Sequence, residues 1–271
     1  MLPFLFIAYL VIEYIEARHG SRVERALAGG GRWGFVPGAL LGCLPQCGFS
    51  AMASNFYGSR VITLGTLMAV FLSTSDEAVP MMLAVPSQWP RLIWLIVIKV
   101  IVGLVVGFCL DFALCRFVPK SLRGGYTGHA DEVDCHEKHE KSSGIVKAAI
   151  HHTVSIFVWV FLFSVLIGLV MTSVGEEAFT GFLAAMGPFQ PIFAALIGLI
   201  PNCAASVLLT QLYLSGSISF ASAVAGLCSG AGVGLIVMFK VNPSIKQNCF
   251  IAGMLWAIGA GVGILLQMIG L

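Results

Sequence analysis

Residues 40–60 read LLGCLPQCGFSAMASNFYGSR, an apolar run interrupted by Pro45, Gln46, Cys47 and Ser50. A second stretch repeats the pattern. Shifted by 156 residues, ALLGCLPQCGFS (39–50) lies on ALIGLIPNCAAS (195–206). Ala39, Leu40, Gly42, Pro45, Cys47 and Ser50 match Ala195, Leu196, Gly198, Pro201, Cys203 and Ser206, and Gln46 faces the amide of Asn202. Further on, Tyr57, Ser59, Ile62, Ala69 and Ser73 match Tyr213, Ser215, Ile218, Ala225 and Ser229. Apolar composition alone produces some identities, but not a shared P-[QN]-C-x-x-S core. The chain reads as an internal duplication rather than two helix breaks that arose independently.

Of the 271 residues, 58% are hydrophobic and 10% charged. That composition belongs to a polytopic membrane protein and excludes an ordinary soluble domain. The 8 cysteines are scattered, and most lie in apolar runs, so no disulfide framework is expected. The opening MLPFLFIAYLVIEYIE lacks a basic start and a small-residue cleavage site. It reads as a first span rather than a signal peptide, though a short one, which leaves open a missing upstream piece.

Each half offers four apolar segments: 2–17, 34–57, 61–86 and 91–117, then 146–173, 189–214, 218–240 and 248–270. The domains expected are a first transmembrane repeat (1–117), a polar cytoplasmic linker (118–145) and a second, inverted repeat (146–271). The distribution of Lys and Arg chooses between two topologies. If all eight segments cross, the basic residues outside spans divide evenly between the two sides. If 34–57 and 189–214 dip in and return, only Arg91 stands alone and all the others share one side. The fold class expected is therefore an all-α integral membrane protein of two inverted repeats. Each repeat runs span, re-entrant hairpin, broken span, span, and its hairpin tip lies near the bilayer midplane. Both termini face outward. Inverted repeats with discontinuous helices at mid-depth are the plan of secondary transporters.

Irregular backbone is tolerated inside hydrocarbon only against protein or a water-filled cavity. Pro45 and Pro201 suit the first position of each returning arm. Gln46, Cys47, Asn202 and Cys203 then fall in the first turn, where unpaired N–H groups and the positive dipole end gather. These residues, with Ser50 and Ser206, either bind a substrate or cap the tips, the cysteines packing as small apolar groups. After the first hairpin comes FLSTSDEAVPMM (71–82), with Asp76 and Glu77 deep in a span. Ionisable groups at that depth are costly and mark function. Pro80 removes a helical hydrogen bond, so a break is expected between Ser73 and Glu77. The matching stretch, LCSGAGVG (227–234), sets Ser229 against Ser73 but carries no charge. Asp76 either couples transport or pairs structurally with Lys99 of the next span.

Substrate-binding candidates are thus Gln46, Cys47, Ser50, Asn202, Cys203, Ser206, Ser73 and Ser229. Coupling or metal candidates are Asp76, Glu77, Cys47 and Cys203. In the linker Cys135, His136 and His139, with His129, Asp131 and Asp134 nearby, form at most a loose metal-collecting tether, because the spacing of an ordered site is lacking. Glu13, Glu16, His151 and His152 read as helix-end or interfacial groups, Asn55 and Gln211 as caps, and Asp111 as one member of a pair near the cytoplasmic interface.

At LPQCGFSAMASNFYGSRVITLGTLMAVFLSTSDEAVPMM (44–82) and GLIPNCAASVLLTQLYLSGSIS (198–219) the chain resembles the putative heavy-metal exporter family. Its members are described as arsenic-permease-like and also labelled putative manganese transporters. Arsenic permeases carry a P-x-C-S-C-G signature. Here Pro45-Gln46-Cys47-Gly48-Phe49-Ser50 stands in its place, without the second thiol. The family is described as having ten spans, a number compatible with six crossings and two hairpins when hairpin arms and broken helices are counted separately. The element order is also similar to the gate-type inverted-repeat fold of concentrative nucleoside transporters.

The function expected is secondary-active efflux of a metal ion or metalloid (manganese, another divalent metal or arsenic) by alternating access. A carrier of a small organic or nucleoside-like solute on the same fold is the alternative. Thiols favour soft ions, whereas carboxylates, carbonyls and amides favour manganese. No nucleotide-binding G-x-x-x-x-G-K-[ST] motif and no in-span catalytic motif is present, so no enzyme is expected. No permanent cofactor is expected beyond the transported ion. Expected partners are the lipid bilayer, the transported ion or solute and a coupling proton or ion. A homo-oligomer is left open, and no nucleic acid is expected. The expected location is the bacterial inner membrane, multi-pass.

Overall fold

A computed structural model of the chain describes residues 33–43, 47–75, 77–113, 154, 165, 187–201 and 203–270. Every regular element among them is helical. The first group is α1 (Phe35–Gly42), α2 (Cys47–Gly58), α3 (Leu64–Ser73), α4 (Ala78–Leu83) and α5 (Trp89–Phe108), the last continued by a π-helical turn at Cys109–Ala113. The second is α6 (Gln190–Gly198), α7 (Cys203–Leu214), α8 (Phe220–Ser229), α9 (Val233–Val241) and α10 (Ile245–Ile269). The 156-residue shift carries both ends of α2 onto α7 and of α3 onto α8. The expected span 2–17, the linker 118–145 and almost all of 146–173 lie outside the described residues.

The recurrence extends to single hydrogen bonds. After α2, Ser59 N donates to Asn55 O, Arg60 N to Tyr57 O, and Val61 N to Phe56 O. After α7, Ser215, Gly216 and Ser217 donate to Gln211, Tyr213 and Leu212 in the same way. This turn needs a residue in the left-handed region. Gly216 takes it at φ 78°, and Arg60 adopts it at φ 65° despite its side chain. The Thr63 hydroxyl caps α3 by accepting from Thr66 N, as the Ser219 hydroxyl caps α8 by accepting from Ser222 N.

All residues of α3 and of α8 are buried. A helix apolar all round belongs inside a bundle, and these two form its centre. Around them α5 and α10 each turn one face inward. The inward face of α5 carries Leu92, Leu95, Lys99, Gly103 and Gly107, while Ile93, Trp94, Val97, Ile101 and Val105 face outward. An apolar outer face is what lipid requires. Pro86–Phe112, Phe220–Val241 and Ile245–Ile269 are long and apolar enough to cross a membrane.

Close packing depends on paired glycines. A methyl group added at Gly103 would lie 2.9 Å from Ala69 O, and one at Gly259 would lie 2.8 Å from Ala225 O. Four residues on, Gly107 and Gly263 press on Gly65 O and Ala221 O. These are two G-x-x-x-G stripes, a pattern that lets membrane helices approach closely.

The same contacts fix directions. Gly107 touches Phe35 and Gly65, Gly38 touches Thr66, and Gly42 touches Ser73, so α1 runs parallel to α3 and α5 runs against both. In the second group Gly263 touches Pro191 and Ala221, and Gly198 touches Gly226, giving the same arrangement. Across the groups, Gly234 lies on Ser50 and Gly58 on Val241, so α2 and α9 run parallel. Gly58 therefore sits beside the start of α10, while Pro191 sits near its end.

One expectation is revised. Pro201 is expected at the first helical position, but it lies outside α7, which spans Cys203–Leu214. Pro201 lies in a bend two residues ahead, and Pro45 is outside the described residues. Asp111, expected in a pair, reaches the start of α3. Its carboxylate accepts from Thr63 Oγ1 at 2.6 Å and from Gly65 N at 3.1 Å, fastening the π-helical turn to the start of α3. In the second group Gln190 takes this role, its Oε1 accepting from Ser219 N at 3.1 Å and Ser222 Oγ at 2.8 Å.

Candidate functional site

Both central helices stop part-way. α3 ends at Ser73 and α4 resumes at Ala78, within the expected interval. Thr74 leaves the helix with an extended backbone (φ −62°, ψ 129°). Its N–H and hydroxyl both return to Val70 O, at 3.0 and 2.7 Å. Thr74 O thus lies outside the helical ladder. α8 ends at Ser229, and α9 resumes at Val233 after Gly230–Gly232. Gly232 adopts φ 53°, ψ −138°, a conformation open to glycine and costly for a side-chain-bearing residue.

Lys99 joins the two interruptions. It lies at the middle of α5 and is fully buried. Its ammonium donates to Thr74 O, at the end of α3, and to Leu227 O, in the last turn of α8, at 2.6 Å. Carbonyls at a helix C-terminus lack intrahelical donors and carry the negative end of the dipole. The cation therefore sits where two such ends converge. The position matching Lys99 in the second group is Leu255, equally buried. Glu77, buried just before α4, matches Val233. Among the described residues, the charges near the interruptions come from the first half alone.

The hydroxyl candidates line the same interior. Ser73 Oγ lies 2.7 Å from Ala69 O and 3.1 Å from Val70 O, and Ser229 Oγ donates to Ala225 O at 3.1 Å. Both protons thus return to their own helices, and oxygen lone pairs remain for other use. Ser50 and Ser206 are buried one turn into α2 and α7. One turn further, Ser54 Oγ lies 2.8 Å from Ser50 O and 2.7 Å from Gly234 O, tying α2 to α9. Thr210, its match, donates to Ser206 O at 2.7 Å.

Cys47 and Cys203 open α2 and α7, which gives their backbones first-turn positions. Gln46, Asp76 and Asn202 lie outside the described residues, as do Glu13, Glu16, Cys135, His136, His139, His151, His152 and the rest of the linker. Backbone carbonyls of Asn55 and Gln211 close the turns after α2 and α7. No group of three His, Cys, Asp or Glu side chains poised to hold a metal occurs among the described residues.

Two features escaped the sequence reading. Lys99 was considered only as a partner of Asp76, and its reach to Leu227 in the other half carries no local signal. The G-x-x-x-G stripes at 103–107 and 259–263 were readable, since they too repeat at the 156-residue shift.

A family described as "Putative, 10TM heavy-metal exporter" matches residues 126–264. No curated protein and no solved structure matches the chain.

Proposed function

The chain belongs to the family of putative 10TM heavy-metal exporters, and from this premise we propose that it is a secondary-active carrier that expels a metal ion or metalloid by alternating access. It is a multi-pass membrane protein of an exporter family, a transporter rather than an enzyme. The observation that carries the proposal is the meeting of two interrupted helices at a buried charge in mid-span. Ligand sites of secondary transporters lie at such discontinuities.

The finer architecture proposed is a pair of inverted repeats with re-entrant hairpins. Helix lengths support it: α1, α2, α6 and α7 span 8, 12, 9 and 12 residues. At 1.5 Å per residue the longest reaches about 18 Å, short of the ~30 Å hydrocarbon core. Direction supports it too. α1 and α3 start at the same level, and only residues 59–63 lead from α2 to α3, folded back by Val61 and Ile62 onto Phe56 O. α2 therefore returns toward the side from which α1 entered. The first hairpin opens at Gly58, beside the start of α10, and the second at Pro191, near its end. Opposite entry is the geometry of inverted repeats. Counting each hairpin arm as a segment gives five per half, in keeping with the family's 10TM description. In this reading the linker is cytoplasmic and both termini face outward.

The site proposed comprises Gln46, Cys47, Ser50, Asn202, Cys203, Ser206, Ser73 and Ser229, with Asp76 and Glu77 supplying charge for a divalent ion and for proton coupling. Binding decides among substrates. Thermal unfolding of purified protein is measured with Mn(II), Zn(II), arsenite and a nucleoside panel, alongside Asp76→Asn and the double variant Cys47→Ala/Cys203→Ala. A Mn(II) shift lost in Asp76→Asn identifies a hard-ion exporter. An arsenite or Zn(II) shift lost with the cysteines puts the substrate at the two hairpin tips. A nucleoside shift with no response to any metal refutes metal efflux in favour of the organic-solute carrier.

A further inference from the structure

We propose that the carbonyl oxygens of Thr74 and Leu227 form a monovalent-cation site, with the Lys99 ammonium as its tethered occupant in place of an alkali ion.

The carbonyls come from the ends of two interrupted helices, one in each half. Unwound carbonyls and half-helix C-termini coordinate alkali ions in secondary transporters. An ammonium is a compact point charge with three donors, and it satisfies carbonyl oxygens much as a dehydrated alkali ion does. Lys99 is fully buried, so this charge is held by protein groups and not by water. Packing does not require a lysine here, because Leu255 fills the matching place in the second half. Nor is the arrangement confined to one repeat: the bond to Leu227 O crosses from α5 into the other half. A cation at this point neutralises both dipole ends and holds the two interruptions together.

The tether has a consequence for transport. A permanently supplied monovalent charge removes the need for one from solution. The carrier therefore works without a sodium or potassium gradient. This consequence rests on the export reading, whereas the cation site itself does not.

The test uses purified full-length protein in N-methyl-D-glucamine chloride, with sodium, potassium or methylammonium chloride exchanged in at constant ionic strength. Wild type should unfold at one temperature in all four salts. Lys99→Ala, which opens the site, should unfold lower in N-methyl-D-glucamine. It should recover roughly 5 °C or more, saturably, with at least one small cation, as expected for a ligand that binds only the folded state. Lys99→Met retains a comparable stem without the ammonium, and it serves if Lys99→Ala does not fold. Equal unfolding temperatures of the variant in all salts would overturn the site. So would a wild type stabilised by sodium or potassium over N-methyl-D-glucamine. In proteoliposomes, wild-type Mn(II) flux that collapses without sodium or potassium would refute the tethered-occupant role. Absence of flux for every metal tried would sink the export reading instead and leave the salt result standing.

Discussion

Among the described residues, the two helix groups share helix ends and turns and differ in the charge at their interruptions. α3 and α8 have the same length, the same hydroxyl cap and the same glycine-mediated contacts with α5 and α10. Where they stop, the first half supplies Glu77 and Lys99, and the second supplies Val233 and Leu255. The interruption itself is made differently too. A threonine tied back to Val70 ends α3, and the segment Gly230-Ala231-Gly232 follows α8. Duplicated scaffold thus creates the paired discontinuities, while divergence puts the charge on one side. The cation from the first half then answers carbonyls of both.

Placing a second lysine opposite the first is the most severe way to break the comparison. Leu255→Lys would bury a charge in a place packed among apolar side chains. A buried unpaired charge costs roughly 3–5 kcal/mol or more, so little monodisperse protein is expected by size-exclusion chromatography. Wild-type yield and unfolding temperature would show that the second half tolerates charge as readily as the first.

Filling the glycine contacts comes next. A methyl group at Gly259 meets Ser229 Oγ at 2.1 Å and Ala225 O at 2.8 Å, whereas one at Gly103 meets Ala69 O at 2.9 Å. Overpacking of this kind costs about 1–3 kcal/mol, with Gly259→Ala the worse of the two in denaturant unfolding. Adding Ser229→Ala should recover part of the Gly259→Ala loss and none of the Gly103→Ala loss. Equal recovery would mean that the two stripes do not act separately.

The smallest effect sharpens the contrast at the helix starts. Asp111→Asn weakens charge-assisted bonds to Thr63 and Gly65, and Gln190→Ala removes a neutral acceptor from Ser219 and Ser222. Losses of about 2 and about 1 kcal/mol are expected, again by denaturant unfolding. The reverse order would place the stronger fastening in the second half.

Much of this was legible before any coordinates. Among the described residues, hydrophobic runs marked the helices, and Pro80 marked the interruption after α3. The 156-residue match predicted that the halves would share elements, and the helix ends follow it. Local composition was a poorer guide to roles. Pro201 looked like a helix start, yet it lies in a bend ahead of the helix Cys203–Leu214. Asp111 read as one member of a pair, but its bond to Gly65 could not be foreseen, since a contact between residues 46 apart in sequence leaves no mark in either segment. Of the site, the residues at the interruptions could be named, but their partners could not.

The sequence by itself determined that this is a duplicated, multi-pass helical membrane protein with polar groups at repeated helix breaks. Apolar runs and their interruptions are local properties of the chain. Only the tertiary structure decided that the breaks of different halves meet, and that Lys99 answers Thr74 O and Leu227 O together. Helix ends expose carbonyls wherever they occur. Which cation reaches them depends on packing between segments 128 residues apart.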